Sequence, residues 1–211
     1  MNDNDLNFVH HWEKGTDLNG PTLLLLHGTG GTELDLVDLG QSLLPGANLL
    51  SPRGQVSENG MARYFRRLAE GVFDLEDLHR RTGELAAFVT SAAAIYGFDP
   101  SKVIAVGYSN GANIAASLLL SGTETLAGAI LFHPMVPFEP QPLPKLKGIP
   151  VFVGAGRQDP MVPEGLTNRL VELLTAAGAN VETHWEAGGH HLNRNEIEAA
   201  KIWMKGANLW N

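Results

Sequence analysis

The chain has 211 residues, 44% of them hydrophobic, which suits one medium domain, residues 1–211, with a sizeable buried core. Lys and Arg total 15 against 23 Asp and Glu, and the resulting net charge of -8 repels phosphate backbones and anionic membranes, so neither is expected as a partner. The absence of cysteine excludes disulfides, thiolate nucleophiles and zinc-thiolate sites, and it fits a reducing cytoplasm.

In chain order, the start "MNDNDLNF" has neither the basic nor the apolar region of a secretory signal, so a cytoplasmic location is expected. The segment "NFVHHWE" suits an added edge strand. Short apolar runs then alternate with segments of helical period, the pattern of a parallel sheet covered on both faces. The predicted strands are "TLLLL" (22–26), "ANLLS" (47–51), "KVIAV" (102–106), "AGAILF" (127–132), "PVFVGA" (150–155) and "NVETHWE" (180–186). Between the first two, "TELDLVDLGQSLL" predicts a helix with Thr32 as its N-cap.

The longest helix should begin near Asp74, place Leu75, Leu78, Leu85, Phe88, Val89, Ala92 and Tyr96 on one stripe, and stop at Gly97. Further helices are expected from about Glu164 to Ala177, ended by Gly178, and from about Asn195 to Lys205. The longest apolar stretch, "LAGAILFHPMVPF" (126–138), is too short for a bilayer and is broken by His133, Pro134 and Pro137. The proline-rich segment 133–150 is expected to be an ordered surface connection.

Chemistry concentrates first in "GYSNG" (107–111), set between a predicted strand and a predicted helix. A sharp strand-to-helix turn strains the serine backbone and leaves no room for side chains two positions either side, so Gly107 and Gly111 fit a nucleophile elbow around Ser109. That turn aims the Asn110 N–H at the oxygen of a bound carbonyl. The hydroxyl needs a histidine base held by a carboxylate, in the chain order Ser, Asp or Glu, His. Asp159 is the only aspartate after Ser109, and it follows a buried strand, which places it on the same rim. The surrounding "GAGRQD" lacks the third glycine of a dinucleotide loop.

Of the later histidines, His133 precedes Asp159, and His184 lies within a strand, where a sheet-face role is expected. The glycine-rich "AGGHHLN" can bend toward the serine, and His190 is preferred over His191 because adjacent side chains diverge; Leu192 is the expected anchor. A metal pair from the two histidines lacks the i, i+4 spacing of helical ligands. The second oxyanion donor is assigned to Thr29 in "LLLLHGTGG", a loop without the Lys and Ser/Thr of a phosphate cradle. His27 in that loop is expected to be structural.

These segments, together with "SPRGQVSENGMARYFRRLAEGVFDLEDL", "FHPMVP", "AGRQDP" and "GGHHL", resemble the phospholipase/carboxylesterase branch of the α/β-hydrolases over nearly the whole chain, more narrowly its small bacterial esterases associated with hydroquinone stress. Dienelactone hydrolases resemble it less, since they carry cysteine where Ser109 stands. The resemblance implies an α/β-hydrolase fold without a large lid. It also implies a cofactor-free carboxylesterase using Ser109, Asp159 and His190, with the Thr29 and Asn110 amides as oxyanion hole. Arg53, Tyr64 and Phe65, after a strand on the active rim, are candidate contacts for a small ester substrate. A homodimer stays open, as do thioesterase or dienelactone-hydrolase-like activity on the same triad and a purely ligand-binding role.

Overall fold

The computed structural model describes residues 6–17, 19–123 and 125–207; most of the acidic start that bears on export lies outside them. In chain order the first elements are β1 (His10–Glu13), β2 (Thr22–Leu26), α1 (Val37–Leu43), β3 (Asn48–Pro52), β4 (Val56–Glu58), β5 (Met61–Arg63), β6 (Arg67–Ala69), β7 (Val72–Phe73) and α2 (Leu75–Tyr96). There follow β8 (Val103–Tyr108), α3 (Asn110–Leu120), β9 (Gly128–Phe132), β10 (Pro150–Gly156), α4 (Glu164–Ala176), β11 (Asn180–Glu186) and α5 (Arg194–Gly206). Seven strands form one sheet in the order β1-β3-β2-β8-β9-β10-β11, parallel throughout except for the expected edge strand β1, which runs antiparallel to β3.

Period-2 alternation divides each central strand between two apolar layers. In β2, Leu24 and Leu26 join Phe88 of α2, Ile114 of α3 and Leu174 of α4, whereas Leu23 and Leu25 join Leu43 of α1 and Trp203 and Met204 of α5. Both faces are therefore covered, which is why these strands are unbroken hydrophobic runs. No helix among the described residues is long and apolar enough to cross a membrane.

The Asp74 side chain accepts the Asp77 N–H and so caps α2, and Gly97, at φ 75°, ends it in a left-handed conformation. Leu78, Leu85, Phe88, Val89 and Ala92 are buried on its stripe as the periodicity predicts. Leu75 instead is 48% exposed: the first turn is held by Asp77, itself buried, whose carboxylate accepts the Arg66 N–H at 2.8 Å. Gly178, at φ 96°, follows Ala177, the C-cap of α4. The proline-rich connection is tied to that end by Leu146 N–H to Ala177 O and Gly148 N–H to Gly178 O, both 2.9 Å.

One expectation needs correction. Thr32 does not cap α1, which begins only after Leu36; its hydroxyl accepts the Leu34 N–H and donates to Asp35, closing a separate turn first. Residues 53–74, for which the sequence offers no predicted element, carry two small hairpins, β4–β5 and β6–β7. Asn59 (φ 52°) and Gly60 (φ 83°) make the turn of the first, the dipeptide that a two-residue hairpin favours. Replacing Asp74 by Ala should destabilise the protein by about 1 kcal/mol, lowering the thermal midpoint by about 2–4 °C, while Asp74→Asn, which keeps the cap, should stay within about 1 °C. Calorimetry of the two variants checks this.

Candidate active site

Ser109 connects the end of β8 to the start of α3 with φ 52° and ψ −114°, a conformation rare for a residue with a side chain. Its N–H donates to Phe132 O at 2.9 Å, which ties the turn to β9. The two glycines are required by space: a Cβ on Gly107 would lie 2.5 Å from Gly111 O, and one on Gly111 would overlap Leu26 O at the end of β2. Ala112, Ala115 and Ala116 are fully buried, so α3 lies close on the sheet. As the first residue of α3, Asn110 has a backbone N–H with no partner four residues back in the helix.

Asp159 follows β10, and its loop is stitched to the histidine loop by Arg157 N–H to Glu186 O (2.8 Å) and Gln158 N–H to Gly188 O (3.0 Å). Gly156 permits this approach, since a Cβ there would strike Gly189 O. Asp159 Oδ1 accepts the N–H groups of Met161 (2.8 Å) and Val162 (3.0 Å), and Oδ2 accepts His190 Nδ1–H at 2.6 Å. His190 Nε2 lies 2.9 Å from Ser109 Oγ, so the chain Asp159, His190, Ser109 is continuous. Burial works to raise the Asp159 pKa, but the His190 hydrogen bond and the two backbone donors outweigh it and hold the carboxyl below its ordinary value.

Tyr108 OH donates to His190 O at 2.8 Å and fixes the loop from the strand side. His191 is exposed, and Leu192 packs against the cluster containing Trp203. His27 Nδ1 donates to Gly28 O while its Nε2 accepts the Gly54 N–H, a structural arrangement; burial lowers its pKa. His184 lies on β11 against Glu186 and the Phe152 ring.

A further histidine stands at the site that chain order alone set aside. His133, buried and at φ 53°, places Nδ1 3.2 Å from Asp159 Oδ2 and Nε2 3.1 Å from Oε1 of the fully buried Glu196. The only sequence signal for the carboxylate was the capping box Asn193 to Glu196 at the start of α5. Among the described residues, His133, Asp159 and His190 are the one group whose donors lie close enough together for an ion. The 2.6 Å between Asp159 Oδ2 and His190 Nδ1 is a hydrogen bond, shorter than the roughly 3.3 Å that tetrahedral zinc geometry with bonds of about 2 Å sets between two donors.

The cleft beside Ser109 is narrow, about 40 Å³, and its lining includes Thr29, Arg63, Arg67, Glu70, Asn110 and His190. Arg63, missed in the sequence, donates to Thr29 Oγ1 at 2.6 Å, pairs with Glu58 at 3.2 Å and so braces the loop that carries Thr29. The three residues named instead from the same segment do not line the cleft. Arg53 is held by Glu33 through two hydrogen bonds. Phe65 is fully buried edge-on to Phe73, and Tyr64 is buried with its hydroxyl on Pro52 O. The Asn-Gly turn sets the β4–β5 register and could have singled out Arg63.

This mostly parallel sheet, with its serine elbow at the strand ends, is that of an α/β-hydrolase. The dienelactone hydrolase family profile matches residues 54–202, and the chain belongs to that family. It is 52% identical to a Bacillus subtilis (strain 168) protein described as "Putative hydrolase MhqD", over 94% of this chain and 98% of that one. The carboxylesterase of Bacillus cereus superposes with a TM-score of 0.95 at 50% identity, covering 97% of this chain and 96% of that one. A carboxylesterase from Mesorhizobium loti gives 0.82 at 31% identity over 88% of each chain. The protein is a hydrolase of ester bonds.

Gly156→Ala should push the histidine loop off the carboxylate loop. Ester turnover is expected to fall about 100-fold, the usual cost of a misplacement near 1 Å, with a much smaller change in thermal midpoint. Unaltered turnover would show that the loop tolerates the added methyl.

Proposed function

We propose that the protein is a serine carboxylesterase working through an acyl-enzyme intermediate, and the observation that carries this reading is the unbroken hydrogen-bond chain from Asp159 through His190 to a serine held in a strained elbow. Ser109 Oγ attacks the ester carbonyl as its proton passes to His190 Nε2. Asp159, ionised across the working range, keeps Nδ1 protonated and stabilises the imidazolium. The oxyanion falls to the Asn110 and Thr29 amides, the former at the positive end of α3. His190 then returns the proton to the leaving alkoxide, and a water activated by the same nitrogen releases the acid.

The narrow cleft, well below the ~300 Å³ of pockets that bury drug-sized ligands, favours a short acyl group. Its charged lining favours a substrate with polar substituents. Family membership supports a second reading, hydrolysis of ring-closed esters on the same residues. Turnover of a lactone panel against linear p-nitrophenyl esters separates the two.

A fluorophosphonate probe should label Ser109 in the wild type, and Ser109→Ala and His190→Ala should each lose at least about 1,000-fold in kcat/KM while remaining folded. His191→Ala should keep substantial activity, because its side chain lies outside the hydrogen-bond chain. Wild-type-like turnover by Ser109→Ala would overturn the mechanism. In the wild type kcat/KM should fall on the acid side as the base is protonated, and EDTA should leave it unchanged.

A further inference from the structure

We propose that His133 is a positioning residue for the reaction at Ser109, acting through Asp159: its Nδ1–H is a second donor to the Oδ2 atom that holds His190, and Glu196 keeps that nitrogen a donor. The inference rests on the reading of Ser109, His190 and Asp159 given above. His133 makes no contact of its own with Ser109 among the described hydrogen bonds; both of its ring nitrogens face carboxylates instead.

All three side chains are essentially out of solvent, His133 and Asp159 at 1% and Glu196 at 0% exposure. Buried polar atoms at such distances require a proton between them, because two facing lone pairs repel and neither can turn to water. Nε2 stands 3.1 Å from Glu196 Oε1 and 3.4 Å from Oε2, and Oε2 already accepts the Asn193 N–H at 3.1 Å. One proton therefore lies between His133 and Glu196. Whichever atom holds it, the pair carries no net charge and Nδ1 keeps its own proton, directed at Asp159.

With that donor Asp159 accepts four hydrogen bonds, from Met161, Val162, His190 and His133, the full capacity of a carboxylate. Among the described residues, the rings facing His133 are His190 at 5.2 Å and Tyr108, perpendicular to it at 6.0 Å, whose hydroxyl is engaged with His190 O. The positive φ of His133 places this imidazole at the site at a cost in backbone strain, and the His133 backbone N–H on Gly154 O at 2.7 Å helps to hold it there.

Two donors on one oxygen divide its charge. His190 therefore gains less from becoming an imidazolium than it would beside an otherwise free Oδ2, and the acid limb of kcat/KM lies at lower pH than a lone Asp159–His190 pair would set. A residue that merely filled space would alter stability or kcat without moving that limb.

Two measurements test this. In wild-type protein labelled with 15N-histidine, with signals assigned by through-bond correlation, His133 Nδ1 should be protonated at neutral pH; an unprotonated Nδ1 overturns the proposal. His133→Gly and His133→Asn both accept φ 53°, but only Asn can put an amide N–H near the lost Nδ1. His133→Gly should raise the acid inflection of kcat/KM by about 0.5–1 pH unit, and His133→Asn should stay within about 0.2 of wild type. Equal inflections in wild type and His133→Gly overturn the proposal, and if the glycine variant does not fold the wild-type spectrum decides. Failure of the underlying reading looks different, since Ser109→Ala would then retain turnover whatever the His133 variants do.

Discussion

The approach of α3 to the end of β2 is the contact on which the site depends. Gly111 rests its backbone against Leu26 O, closer than any Cβ allows, and Gly107 makes the matching room on the strand side. Only then can the chain reverse within one residue, hold Ser109 at φ 52° and begin a helix at Asn110. The strain is sustained by the fully buried alanines of α3, which bind the helix to the sheet along its length, and by the Ser109 N–H on Phe132 O. A helix held less tightly would relax the turn and withdraw both hydroxyl and amide from the cleft.

The other participants reach the same place because parallel strands all end on one side. The connections after β8, β9, β10 and β11 bring Ser109, His133, Asp159 and His190 to one rim from positions up to 81 residues apart. Asp159 is the common point, with two backbone N–H groups on one oxygen and two imidazoles on the other. The backbone bonds between the carboxylate and histidine loops make their separation a property of the β10–β11 pairing rather than of two independent loops.

The cleft wall has a different origin. It is built by the small hairpins after β3, tied to α2 through Asp77 and to the serine turn through Tyr64, whose N–H donates to Asn110 Oδ1 at 2.8 Å. Arg63 lies within that wall, its guanidinium over Phe65 and its Nη1 on Thr29. The cleft is thus bounded on that side by a short segment of its own.

The sequence by itself determined what depends on neighbours along the chain. Unbroken apolar runs imposed strands buried on both faces, Asp74 and Gly97 bounded α2, and "GYSNG" identified the elbow, because sterics within a few residues govern each of these. Chain order and one glycine-rich loop pointed to Asp159 and His190, which the structure sets in one hydrogen-bond chain with Ser109. The tertiary structure decided which residues after β3 face the cleft: Arg63 ends β5 and lines it, while Phe65, just past the end of that strand, turns into the core against Phe73, a choice made by how the hairpins pack rather than by composition. It likewise decided the place of His133 and Glu196, 63 residues apart and joined only by sheet order and helix packing. Burial gives such polar pairs their energetic weight, and burial is a property of the assembled fold, not of any local stretch of chain.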